Sequence, residues 1–153
     1  MQNSVEHHLE RLMNQLFWAR IHGGTTHFPI ALLVVSVVFD HAGFWWRAGE
    51  LRRRDFRSLG FYCLLIAAAA SPVAVVSGLA LSKGIVLGTG MLALHHYFIW
   101  PAFGLLIALA VWRLVTRERA SRPARGFYLL VASVTLVLMM SAGFWGGEML
   151  IGK

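Results

Sequence analysis

Charge is what this sequence is short of. Only 14% of its 153 residues are Asp, Glu, Lys or Arg, against roughly 25% in a soluble domain. With 58% of the chain hydrophobic, that deficit excludes an ordinary water-soluble globule and points to a membrane protein. Cysteine is almost missing as well. Cys63 stands alone inside an apolar run, which excludes an internal disulfide and a cysteine-based metal centre of the usual kind; the residue reads as a small buried hydrophobe. No C-x-x-C-H occurs, so covalent haem attachment is excluded. A phosphate-binding loop, a G-x-S-x-G elbow and an H-E-x-x-H pair are all missing, so hydrolase and nucleotide chemistry have no support. No internal repeat is visible, and the first twenty residues lack the basic start and apolar core of a cleavable signal peptide.

What the chain does have is four long apolar stretches, at approximately 28–46, 58–81, 93–115 and 127–151. Each approaches the roughly 20 residues that a helix needs to cross a hydrocarbon core. A spanning helix satisfies its own backbone, and the apolar residues come in blocks, without the alternation of a membrane barrel. The expected fold is therefore all-α, an integral membrane four-helix bundle over 21–153, preceded by an amphipathic surface helix over 1–20. In that first segment Val5, Leu9, Leu12, Met13, Leu16 and Phe17 share one face at helical spacing, which suits the membrane surface or a partner subunit. Gly23 and Gly24 are expected to break this helix, and Pro29 to sit in the first turn of the next. Kinks are expected at Pro72 and Pro101. Close helix packing is expected at the small-residue stripes Ala67/Ser71/Ala74/Gly78, Gly104/Ala108 and Gly143/Gly147.

The net charge of +7 could suggest nucleic acid, but its placement removes that partner. Arg47, Arg52, Arg53, Arg54 and Arg57 lie between the first two spans, and Arg113, Arg117, Arg119, Arg122 and Arg125 between the last two; Arg11, Arg20, Lys83 and Lys153 lie on the other side. Loops rich in Lys and Arg stay cytoplasmic. The expected location is the bacterial inner membrane, with both termini and the glycine-rich loop near 82–92 on the periplasmic face and the lipid bilayer as the first partner. That loop is expected to fold over the outer mouth of the bundle.

On this topology His22, His27, His95, His96 and Glu148 converge on one outer level. Ionisable residues at such depth usually face a bundle interior and mark a site. One reading is a b-type haem, with His27 as one axial ligand and His95 or His96 as the other, since facing helices supply ligands from opposite sides. Adjacent histidines point about 100° apart on a helix, so one of the two faces the pocket. A second reading is a zinc or copper site drawn from His22, His27, His95, His96 and Glu148. A third is that the histidines bond backbone carbonyls and only pack helices. Near the cytoplasmic side, Asp40 and His41 read first as an interfacial pair facing the arginine-rich loop, with a proton-handling or quinone site as the alternative.

The segments "HFPIALL" (His27–Leu33) and "AGFWGGEML" (Ala142–Leu150), together with histidines opening the third span, resemble a bacterial family of small four-span membrane proteins catalogued as domain of unknown function 2231. The resemblance covers most of the chain after about residue 22. Some relatives are fused to cytochrome c or Rieske-type domains, which implies work near respiratory electron transfer. The expected function is an electron-transfer protein or respiratory-complex subunit without an activity of its own, meeting a periplasmic or membrane redox partner. The alternatives are a structural or assembly subunit of a larger complex or homo-oligomer, and a metal-binding membrane protein.

Overall fold

The structure, a computed structural model, describes residues 2–46 and 49–151. Arg47 and Lys153, two of the basic residues counted above, lie outside them. Four helices form: α1 Gln2–Trp45, α2 Glu50–Leu81, α3 Gly90–Thr116 and α4 Arg122–Ile151, with one turn of 3₁₀ helix, Arg117–Arg119, after α3. There is no strand among the described residues, and all four helices are long and apolar enough to cross a membrane. The expected all-α, four-span architecture is what the chain adopts.

The N-terminal segment differs from expectation. It is no separate surface helix, because α1 runs unbroken for 44 residues, about 66 Å at the helical rise, or roughly twice the hydrocarbon thickness. Gly23 and Gly24 stay helical, since an apolar setting offers the backbone no substitute for its own hydrogen bonds. Thr25 Oγ1 adds a bond to the Ile21 carbonyl at 2.8 Å. Pro29 lies inside the helix and is buried, where it frees the carbonyl of Thr25. The helices also continue through Pro72 and Pro101, both on outward faces.

The loop from 82 to 89 starts with a capping turn. Ser82 N–H bonds Gly78 O at 2.9 Å and Gly84 N–H bonds Leu79 O at 2.8 Å, with Lys83 and Gly84 at φ 56° and 80°; this closes the free carbonyls of α2 in the manner of a left-handed cap. Trp100 Nε1 then donates to Val86 O at 2.8 Å, tying the loop back onto α3.

The helices pack as two hairpins, α1 with α2 and α3 with α4. The hairpins meet where α1 touches α4 and α2 touches α3. Leu33, Leu64, Ala67, Ala102, Leu106 and Ala142 are wholly buried between them. Of the small-residue stripes, Ala67/Ser71/Ala74 on α2 is buried as expected, whereas Gly104, Ala108 and Gly143 face outward.

The two hairpins are quasi-equivalent. Residues 28–40 of α1 and 101–113 of α3 follow the same order of buried, half-buried and exposed positions at every residue. On α2 and α4 the buried pairs Gly60/Tyr128, Leu64/Ala132, Ala67/Thr135, Ser71/Met139 and Ala74/Ala142 keep one constant offset. An approximate two-fold axis along the bundle exchanges α1 with α3 and α2 with α4, the arrangement of parallel repeats in a membrane protein. A repeat is therefore present, carried by burial and hidden at the level of residue identity.

Candidate functional site

Both ends of the bundle carry polar groups. At one end stand His22 of α1 and His95 of α3, which are quasi-equivalent. His22 Nδ1 lies 3.0 Å from Ala74 O and 3.2 Å from Ser77 Oγ; His95 Nδ1 lies 2.8 Å from Ala142 O. Each imidazole rests over an Ala-x-x-x-Gly on the second helix of its own hairpin, Ala74/Gly78 or Ala142/Gly146. A Cβ at residue 78 would come within 2.8 Å of His22 Cε1, and one at residue 146 within 3.3 Å of His95 Nδ1. Glycine is what lets the rings reach the carbonyls. With Nδ1–H held by a carbonyl, Nε2 keeps its lone pair, the tautomer a metal-ligating histidine uses.

His96 diverges from His95 as helical geometry requires. It is buried, its ring 5.6 Å from that of His95 and 6.1 Å from that of Trp100. It approaches the backbone of Leu87 in the tied-down loop, while Nδ1 has no hydrogen-bond partner among the described residues. His95 is close enough to influence both His22 and His96 electrostatically. The structure thus brings three of the five expected residues into one neighbourhood. His27 instead lies on the exposed surface of α1, and Glu148 is half-buried near the end of α4. No group of three His, Cys, Asp or Glu that could hold a metal ion occurs among the described residues.

The space between the hairpins near His95, lined also by Thr26, Ile30, Ser71, Val75 and Ala142, is a cavity of about 70 Å³. That is room for a few water molecules and far too little for a haem macrocycle. A single metal ion on the Nε2 atoms fits the donor chemistry; a haem between the hairpins as packed does not fit.

At the other end stands a buried charge pair that the sequence reading had not assembled. Asp40, 4% exposed, and Arg113, 8% exposed, hold quasi-equivalent positions on α1 and α3 and meet with Nη1 2.6 Å from Oδ2. Tyr128 donates its hydroxyl to the same oxygen at 2.8 Å. Arg113 Nη2 donates to Arg57 O at 2.9 Å, and the guanidinium lies 5.5 Å from the centre of the Phe61 ring and 5.1 Å from that of Tyr128. A Cβ on Gly60 would collide with the Asp40 carboxylate. Two charges leave water only when paired and hydrogen-bonded, and α1, α2, α3 and α4 each contribute to that condition here. Asp40 and His41 do not act on a common group: His41 turns to Ser133 of α4, with Nε2 and Oγ 3.1 Å apart. A cavity of about 40 Å³ adjoins Asp40, Arg113 and Tyr128.

His22 and Asp40 are 18 residues apart on one helix, about 27 Å along its axis, close to the thickness of a hydrocarbon core. Between the two ends, the buried hydroxyls of Ser36, Ser71 and Thr135 donate to backbone carbonyls. The polar chemistry is therefore confined to the two membrane boundaries. Arg113, expected in the basic loop between the last two spans, is instead buried inside α3, and Tyr128 had no assigned role. The available signal was spacing, because His22 to Asp40 and His95 to Arg113 span the same 18 residues.

No curated protein and no solved structure matches the chain. A family model described as "Predicted membrane protein (DUF2231)" matches residues 19–152, all four spans included. The chain belongs to that family.

Proposed function

We propose that this protein is a subunit of a bacterial inner-membrane complex that carries one transition-metal ion on His22 and His95 at the periplasmic ends of α1 and α3, beside a membrane or periplasmic redox partner. The observation that supports it is the anchoring of both Nδ1 atoms on backbone carbonyls of the second helix of the same hairpin, which leaves two Nε2 lone pairs at quasi-equivalent positions. Imidazole suits copper, zinc and iron; copper or iron would supply single-electron exchange. His96, its ring 5.6 Å from that of His95 and its Nδ1 unpartnered among the described residues, stands outside this pair. His27 takes no part in this assignment, because it faces outward. The protein is a carrier or subunit with no substrate chemistry of its own.

The test is metal content and oxidised and reduced visible spectra of the detergent-purified protein after supply of copper, zinc, iron or haem. Close to one ion per chain is expected, abolished by His22→Ala or His95→Ala and retained by His27→Ala. A chain that takes up none of these metals ends the proposal. A Soret band that disappears with His27→Ala would instead assign a haem to the outward face of α1.

A second reading, an assembly subunit, is favoured by one observation. Val5, Leu9, Leu12, Met13, Leu16 and Phe17 are all exposed on the part of α1 that extends past the bundle. Deletion of residues 2–16 that releases the protein from a larger complex while leaving its metal content intact would establish it.

A further inference from the structure

Helix α1 continues past the point where the rest of the bundle stops. At the helical rise, Leu16 lies about 9 Å and Val5 about 25 Å beyond the His22 level, whereas the headgroup layer adds only about 5–8 Å to the hydrocarbon boundary. Val5, Leu9, Leu12, Met13 and Leu16 therefore stand in water, each between 42% and 70% exposed. The other helices do not accompany them, because α2 ends at Leu81 and α3 starts at Gly90, the quasi-equivalent of Phe17. A contiguous apolar patch of this kind in water marks an interaction surface.

The same face of α1 carries the opposite mismatch inside the membrane. His27 follows Leu9 by 18 residues, five full turns, and so points in the same direction. It lies about 8 Å to the hydrocarbon side of His22 and is exposed, as are Ala31 and Val38 further along this face. Ionisable side chains at such depth almost always face protein. The bundle-facing residues Leu33 and Asp40, both buried, point about 120–140° away from His27, so the fold of one chain leaves this face open. A helix face that is apolar in water and polar in lipid is matched to neither solvent, and one neighbouring helix running its length relieves both mismatches. Arg20, on this face at headgroup level, is exposed and long enough to keep its guanidinium in water.

We propose that this face of α1 pairs with the same face of a second copy in a parallel, two-fold dimer. The inference rests on the assembly reading of the apolar stripe and names what covers it. A copy inserted in the same orientation meets every demand at the same height, with apolar side chains opposite the stripe in water and a hydrogen-bonding group opposite His27 in the membrane. Neutral imidazole is donor and acceptor at once, so two His27 rings satisfy each other. Ala31, one turn further along, is small enough for a second backbone to come close. The extension occurs once per chain, so the contact is isologous and closes in pairs.

The experiment is cysteine cross-linking in native membranes on a Cys63→Ala background, with the mass of the purified protein measured by light scattering. Leu9→Cys, Leu16→Cys and Ala31→Cys should each give a disulfide-linked homodimer on mild oxidation, while Arg11→Cys, on the bundle side of the extension, should not. Leu9→Glu/Leu16→Glu should convert the purified dimer to monomer without lowering its thermal midpoint. His27→Ala should weaken the dimer by about three- to thirty-fold with metal content unchanged, and His27→Asn, again donor and acceptor, should recover part of that loss. Equal cross-linking at Arg11→Cys overturns the interface. Cross-linking of the stripe to a chain of different mass keeps the assembly reading and overturns the second copy, and a monomeric mass with no cross-link to any chain overturns both. Should the double Glu variant fail to fold, the cysteine series carries the same test.

Discussion

A carboxylate and a guanidinium withdrawn from water are stable only together, so Asp40 and Arg113 behave as one unit. Arg113→Met strands the Asp40 charge and should lower stability by about 3–5 kcal/mol, read as a fall in the thermal midpoint in detergent. Adding Asp40→Leu removes the stranded charge and should recover most of that loss, since an apolar replacement of a buried pair is often nearly neutral. A double variant as unstable as the single one would show that the pair does not act as a unit. Tyr128→Phe removes one hydrogen bond to the carboxylate and should cost less, about 1.5–3 kcal/mol. Exchanging the charges, Asp40→Arg with Arg113→Asp, should not restore stability, because Gly60 leaves room for a carboxylate beside it and not for a guanidinium. Asp40 stands out in the sequence as a lone acid near the end of an apolar span. Arg113 does not, because it merges by eye with Arg117 and Arg119, and an aromatic such as Tyr128 carries no sign of its partner.

At the level of the helix, the same residue type has opposite consequences at different sites. A Cβ at Gly23 or Gly24 meets nothing within 4 Å, and both positions are helical, so Ala there should stabilise α1 by up to about 1 kcal/mol each. A raised thermal midpoint for Gly23→Ala/Gly24→Ala supports a continuous α1; a lowered one would mean that the pair must bend in the working protein. Gly78→Ala pushes into His22 at 2.8 Å and Gly146→Ala into His95 at 3.3 Å. Both should destabilise, the first more than the second, and both should reduce metal uptake by tilting the rings off their carbonyls. The four spans are legible because hydrocarbon imposes a length and a composition. Gly-Gly was misleading because its helix-breaking tendency is measured in water, where a freed backbone group finds another partner. His27 lies on the exposed side of α1, and a histidine before Phe-Pro at a span edge gives no sign of which side of the helix faces the bundle.

For the whole molecule, the quasi-two-fold axis is hard to see in the sequence because few identities support it; His22/His95, Leu32/Leu105, Leu33/Leu106 and Val38/Val111 are among the matches on α1 and α3. Apolar residues exchange freely wherever they face lipid or a neighbouring apolar side chain, so burial persists after identity has drifted. The axis nonetheless restricts topology. It runs along the bundle, so the two arginine-rich ends must lie on one side of the membrane, and the α2–α3 loop on the side to which α1 rises. On the positive-inside bias the arginines are expected on the cytoplasmic side. Cys63 is the sole cysteine, so Cys63→Ala clears the background for single labels at exposed Thr89 and Ser121. In intact cells an impermeant maleimide should label Thr89→Cys and should reach Ser121→Cys only after permeabilisation. The reverse pattern would place the histidine end in the cytoplasm and remove the periplasmic partner from the functional proposal, while labelling of both sites in intact cells would contradict the four-span arrangement itself.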